Sequence, residues 1–188
     1  IASKQSAKIY NLDILASNIE DEKENIEKLI LKIRGYLPES SILIIDDNSP
    51  DLTSKIIDNL KKKDSKINLI IRDRKLGLDT AHKLSYQYAI ENNYEYLITM
   101  DADLSHDPSE LVNFKIYLEN YPFVLGSRYI SGGKCLMKGS RLILSKVGNS
   151  IIKFFSGINC SEFTTSYRGF NLNLLKDFNL SDVRQAGY

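Results

Sequence analysis

Two acidic clusters stand where they can do chemistry. The first is Asp101-Ala102-Asp103. Two carboxylates two residues apart can converge on one hard cation. Mg²⁺ and Mn²⁺ take oxygen ligands and share their shell with substrate phosphates. Such a cation offsets the charge that grows on a departing diphosphate. An acidic turn capping the next helix is the plainer reading of the same residues. The second cluster is Asp46-Asp47-Asn48-Ser49-Pro50-Asp51. Carboxylates there can accept hydrogen bonds from ribose hydroxyls, or can belong to a solvated turn, since Asn, Ser, Pro and Asp all favour turns.

Both clusters follow apolar runs. Strands are expected at Tyr10 to Leu15, Ile42 to Ile45, Ile67 to Ile71, Tyr96 to Met100 and Phe123 to Leu125, each rich in Ile, Leu or aromatic residues and stopped by polar residues. Helices are expected between them, at Glu24 to Tyr36, Leu52 to Lys62, Thr80 to Asn92 and Ser109 to Glu119. Ile26, Leu29, Ile30 and Ile33 recur at helical spacing and form one apolar stripe. Pro108 suits the first turn of the fourth helix. Strand alternating with helix predicts an α/β fold, a mostly parallel central sheet flanked by helices. Ligands of such sheets bind beyond the carboxyl ends of the strands. The residues that follow the strands there are Asp46 and Asp47, then Arg72 to Lys75, then Asp101 and Asp103, then Gly126, Ser127 and Arg128.

The chain has 188 residues, 43% of them hydrophobic, which suits one domain with a sizeable core. A net charge of +1 points neither to nucleic acid nor to an acidic tail. Cys135 and Cys160 have no paired-ligand spacing, so zinc and a disulfide framework are both disfavoured. No signal peptide is expected at Ile1, and no apolar run approaches the ~20 residues of a membrane span. A chain without an initial Met that stops at Tyr188 reads as a single catalytic domain, 1–188, shortened at its C-terminus.

Several segments, taken in order, carry a resemblance. They are Ile44-Ile45-Asp46-Asp47-Asn48-Ser49-Pro50-Asp51, Gly77-Leu78, Met100 to His106, Gly126-Ser127-Arg128-Tyr129 with Gly132-Gly133, Arg141 with Ser145, and Thr164 to Arg168. Together they resemble family 2 glycosyltransferases of the GT-A fold, the Rossmann-like nucleotide-diphospho-sugar transferase fold. In particular they resemble dolichol- and polyprenol-phosphate mannose synthases.

The resemblance implies roles. Asp46, Asp47 and Gly77 would meet the donor, Asp47 at the nucleoside. Asp101 and Asp103 would be catalytic and hold Mg²⁺ or Mn²⁺ and the diphosphate, with Ser105 completing the metal shell. Arg128, also catalytic, with Arg141, Ser145 and Arg168, would gather donor and acceptor phosphates. The family's opening Pro-Thr-Tyr-Asn-Glu appears only as Leu15-Ala16-Ser17-Asn18-Ile19-Glu20, so either Glu20 or Glu22 matches its acid, and the base contacts are unsettled. The usual Ser-Gly-Phe-Arg is Ser166-Tyr167-Arg168 preceded by Thr165.

The implied reaction is inverting transfer of a sugar, mannose from GDP-mannose first, to a polyprenyl or dolichyl phosphate at the cytoplasmic face of a membrane. An acceptor phosphate is already anionic near neutral pH and needs arginines rather than a general base. His106 is therefore given no role. Arg141 to Phe155 mixes Leu142, Ile143, Val147, Ile151, Ile152, Phe154 and Phe155 with Lys146 and Lys153. That pattern suits a basic amphipathic helix on a membrane or a core helix. The glycines at 132, 133 and 139 suit a flap over the acceptor or a plain connection.

Other readings remain at this stage. A sugar-hydroxyl acceptor in surface polysaccharide assembly is one. A haloacid dehalogenase-type phosphatase, with Asp101 as nucleophile, is another, though Ser105 stands where that signature has Thr or Val. The last is a binding module without turnover.

Overall fold

The structure, a computed structural model, describes residues 12–17, 23–50, 53–133, 135 and 137–175. Strands β1 (Leu12–Ser17), β2 (Ser41–Asp46), β3 (Ile67–Ile71) and β4 (Tyr96–Asp101) alternate with helices α1 (Lys23–Tyr36), α2 (Thr53–Lys63) and α3 (Leu78–Glu91). A 3₁₀ turn at Pro108–Glu110 leads into α4 (Leu111–Leu118), followed by β5 (Phe123–Leu125), α5 (Ser140–Ser156) and β6 (Arg168–Asn171).

The six strands form one sheet in the order β3-β2-β1-β4-β6-β5. β1 pairs in parallel with β2 and β4, and β2 with β3. β6 runs antiparallel to β4 and to β5. The sheet is mostly parallel, as expected. β1 is described over Leu12–Ser17; Tyr10, where the sequence reading starts it, lies outside the described residues. β6 was not expected at all: it is four residues long, carries Gly169 in its middle, and has no apolar run of its own.

Burial follows the pattern of the strands. β2 and β4 are buried almost throughout, as strands covered on both faces must be. Ile42, Ile44, Ile98 and Met100 join the stripe Ile26, Leu29, Ile30 and Ile33 of α1, with Ile57 of α2 and Phe114 of α4. Leu43 and Ile45 pack instead on Ala81 of α3, and Leu97 on Tyr86 and Ala89. Alternation along each strand thus places α1, α2 and α4 on one face and α3 on the other. Each fully buried Leu or Ile contributes about 1.5–3 kcal/mol through removal from water.

Register brings the functional ends level. Ser17 of β1 is opposite both Ile45 of β2 and Asp101 of β4, and Asp46 is opposite Ile71. β6 enters antiparallel, so its first residue, Arg168, pairs with Thr99 near the carboxyl end of β4 and with Leu125 at the end of β5. The strand order turns between β1 and β4, the switch point at which doubly wound sheets open a crevice.

Candidate active site

At the end of β2, Asp46 is fully buried and turns back on the chain. Its Oδ1 accepts from the Ser49 amide at 2.9 Å and the Ser49 hydroxyl at 2.6 Å. This ties down a turn in which Asn48 takes φ 63°. Asp46 is thus committed to the loop through one oxygen, a turn as the plainer reading has it, but buried and not solvated. Asp47 is also buried and forms an ion pair with the Nε of Arg72, itself buried. Arg72 Nη1 donates to Thr80 Oγ1 at 2.6 Å, and Thr80 donates on to the Gly77 carbonyl at 2.8 Å. Gly77 has φ 89°, a region open to glycine at little cost. The second acidic cluster and the Gly77 turn are therefore one unit, joined by Arg72. Arg72 was visible only as one of four polar residues after β3. Nothing in its type or spacing set it above Arg74. Asp47 Oδ2 and Arg72 Nη2 are buried and have no hydrogen-bond partner among the described residues.

At the end of β4, the Asp101 amide donates to His106 Nδ1 at 3.0 Å. The accepting Nδ1 leaves the proton on Nε2, which lies 3.8 Å from Asp101 Oδ2. The Ser166 hydroxyl donates to the same Oδ2 at 2.6 Å. Asp103 is exposed, and its Oδ1 accepts from the Ser105 amide at 2.9 Å across a turn in which Leu104 takes φ 63°. Ser105 thus meets Asp103 through its amide. His106 stacks on Tyr167, ring centroids 4.8 Å apart, and Tyr167 stacks on Phe114 at 4.4 Å. Burial lowers the His106 pKa, against the opposing pull of Asp101 and Asp103.

Arg128 is held by a residue that the sequence reading passed over. Glu162 is fully buried, and its Oε2 accepts from the Arg128 amide at 2.9 Å. The same carboxylate takes the guanidinium at Nε and Nη2. The expected catalytic cation thus arrives already paired, with Nη1 turned to Met137 Sδ at 3.7 Å. Glu162 raises the Arg128 pKa further by hydrogen bonding and charge. Gly126, two residues before Arg128, donates its amide to the Tyr167 carbonyl at 2.9 Å, and Tyr167 stacks on His106, which places the Arg128 loop beside the Asp101 cluster. The signal available for Glu162 was an acid six residues before Arg168, too little without a partner in view.

The other predicted residues are spread more widely. Ser145 shares a 2.7 Å hydrogen bond with the Tyr129 hydroxyl, so it links α5 to the Arg128 loop. Arg168 donates to the Thr165 carbonyl at 2.7 Å. It also faces His82 of α3, whose pKa is lowered to about 4 by burial and then by Arg168. Arg141 is exposed in the first turn of α5 and makes no hydrogen bond or ion pair among the described residues. Arg128 thus lies on the loop after β5, Arg141 in the first turn of α5 and Arg168 at the start of β6. Glu20 and Glu22 lie outside the described residues.

A cavity of about 530 Å³ opens between the Arg128 loop and α5. Arg128, Lys146 and Lys153 give it a basic lining, with Asn149, Ser150 and Ser161 among the polar groups. Asn149 fixes α5 to this wall, since its Oδ1 accepts from the Phe163 amide at 2.7 Å. The opposite face of α5 is apolar and exposed: Leu144, Phe154 and Phe155 are at least 75% accessible. No described residue covers this face of α5. The loop before it packs closely at one point, where a Cβ on Gly133 would come within 2.7 Å of the Ser127 carbonyl.

Acid, arginine and basic cavity at the carboxyl edge of such a sheet define a nucleotide-sugar transferase of the GT-A fold. A mannosyltransferase from Pyrobaculum calidifontis, solved with GDP-Man and Mn²⁺, shares this fold with a TM-score of 0.57 at 13% identity, over 89% of this chain and 46% of that one. The chain belongs to the family described as glycosyl transferase family 2, which it matches over residues 19–178. It is 32% identical over 171 residues to polyprenol monophosphomannose synthase of Mycolicibacterium smegmatis, covering 89% of this chain and 64% of that protein. It is 30% identical over 169 residues to undecaprenyl-phosphate mannosyltransferase of Micrococcus luteus, covering 89% and 70%. The chain thus spans about two thirds of the length of these relatives.

Proposed function

We propose that the chain moves mannose from GDP-mannose to a polyprenyl phosphate, with inversion at the anomeric carbon, at the cytoplasmic face of a membrane. The observation that carries the proposal is a pairing of sites. An acidic edge suited to a nucleoside diphosphate adjoins a basic cavity, and the far side of that cavity's helix is apolar and exposed. Both named relatives act on a polyprenyl-type phosphate by name.

Each half has a task. Asp47 and Arg72 offer their unpartnered oxygen and nitrogen to the nucleoside. Asp101 and Asp103 each keep one oxygen free of protein hydrogen bonds among the described residues, because Ser166 and Ser105 hold the other. No group of three or more His, Cys, Asp or Glu side chains that could cage a metal occurs among the described residues. Two free carboxylate oxygens fit Mg²⁺ or Mn²⁺, which complete their shells with water and substrate phosphate. When bound, such a cation would supply the charge that stabilises the departing diphosphate.

Arg128, oriented by Glu162, and Lys146 and Lys153 would hold the acceptor phosphate. One anionic oxygen of that phosphate attacks the anomeric carbon as the bond to the diphosphate breaks. This nucleophile needs no base. Neither of the chain's two histidines is placed as one: His106 Nδ1 is occupied, and both ring nitrogens of His82 are buried. The exposed face of α5, with Phe154 and Phe155, would lie in the interface where the lipid enters.

The test is thermal stability with GDP, UDP or CDP, each with and without Mn²⁺. A ligand of the folded state adds about 2.7 kcal/mol at a hundredfold excess over Kd. A Mn²⁺-dependent rise in Tm with GDP alone is expected. A rise with UDP or CDP instead would overturn the GDP-mannose donor.

A further inference from the structure

Asp101 is held more tightly than a surface carboxylate needs to be. Ser166 donates to its Oδ2 at 2.6 Å, and His106 Nε2 approaches the same oxygen at 3.8 Å. Ser166 is itself fixed: its carbonyl accepts from the Thr99 hydroxyl at 2.7 Å, and both residues are buried. The path from Thr99 through Ser166 to Asp101 closes a loop between β4 and the segment entering β6. Asp101 Oδ1 has no hydrogen bond among the described residues, so the carboxylate is left with one oxygen to offer.

We propose that Ser166 is a positioning residue that makes Asp101 a one-oxygen ligand and so biases the site toward a small six-coordinate cation. The argument is geometric. Ca²⁺ accepts six to eight oxygens and readily takes a carboxylate through both of them as well as through one, whereas Mg²⁺ demands near-octahedral geometry at short distances. A carboxylate whose second oxygen already accepts from a hydroxyl must bend, share or give up that bond to embrace a larger ion with both oxygens. Groups that orient a metal ligand from behind change metal affinity by roughly ten- to a hundredfold when removed. Ser166 matches that description, since it touches the ligand and lies opposite its free oxygen. The inference rests on the proposed cation-holding role of Asp101 and Asp103.

The experiment is Mn²⁺ binding to the whole chain, followed by the electron paramagnetic resonance signal of free Mn²⁺, with and without GDP, and by competition with Ca²⁺. Ser166→Ala, Ser166→Thr, Asp101→Asn and the unmodified chain are compared, each first checked for an unchanged circular dichroism spectrum. For Ser166→Ala the account expects Mn²⁺ affinity to fall roughly tenfold or more and Ca²⁺ to compete better than before. Ser166→Thr, which keeps the hydroxyl, should restore the preference for Mn²⁺. Unchanged affinity and unchanged Ca²⁺ competition in Ser166→Ala, with binding lost in Asp101→Asn, would overturn the role of Ser166 alone. Full Mn²⁺ binding by Asp101→Asn would overturn the cation-holding role of Asp101, and with it this inference.

Discussion

Residue by residue, the site is built from pairs in which one partner was legible and the other was not. Asp47, Asp101 and Arg128 sit in recognisable runs. Their partners Arg72, Ser166 and Glu162 come from 25, 65 and 34 positions away. Hydrogen bonds of that span are made by topology, and no local spacing encodes them. Glu162→Gln tests one such pair. The variant keeps the shape and removes the charge that holds Arg128. A loss of about 1–2 kcal/mol is expected, less than for a fully buried pair because Arg128 is partly exposed. The KM for polyprenyl phosphate should rise while the GDP-induced rise in Tm stays. Steady-state kinetics beside thermal melts would decide; a loss confined to the nucleotide shift would sink the assignment of Arg128 to the acceptor.

His82 gives a prediction about pH. Its folded pKa, about 4, lies below the usual value of 6.5, through burial and the nearby Arg168. The unfolded chain therefore binds the extra proton first. The stability contributed by neutral His82 is full above pH 6.5 and declines as pH falls toward 4. The loss is at most about 3 kcal/mol. Between about pH 7 and about pH 4.5 the Tm of His82→Phe should fall less steeply than that of the unmodified chain. Parallel curves would mean that His82 does not titrate in this range.

Among the elements, periodicity carried most of the reading. The stripe of α1 and the buried runs of β2 and β4 lie where hydrophobic spacing put them. Leu29→Ala should cost about 2–5 kcal/mol, because Leu29 is fully buried under the sheet, and chemical denaturation would measure it. β6 escaped notice because four residues with a central glycine form no pattern. It is fixed instead by its neighbours: a Cβ on Gly169 would come within 2.8 Å of Phe114. Helix α5 was legible as a helix, but its surroundings were not. Apolar spacing alone does not distinguish a core face from an uncovered one. Changing Phe154 and Phe155 together to Ser should leave the unfolding free energy within about 0.5 kcal/mol per site of its original value, since both are exposed. Binding to anionic lipid vesicles should fall severalfold in sedimentation. Unchanged vesicle binding would remove α5 from the membrane contact.

Across the whole molecule, the architecture came from strand and helix alternation, and the family from the order of short motifs. The acidic and basic halves of the site meet because β6 inserts antiparallel beside β4, carrying the 162–168 segment back to the Asp101 edge. No sequence pattern announces that return. No helix among the described residues is long and apolar enough to cross a membrane; the proposed route to the lipid runs over α5 and its basic cavity. The central claim is transfer to a lipid phosphate. The most direct measurement incubates the chain with radiolabelled GDP-mannose, Mn²⁺ and either polyprenyl phosphate or free polyprenol, then extracts the lipid. The account predicts label in the lipid phase with polyprenyl phosphate only, lost in Asp103→Ala. Label on free polyprenol or on a soluble glycan, with none on polyprenyl phosphate, would contradict it.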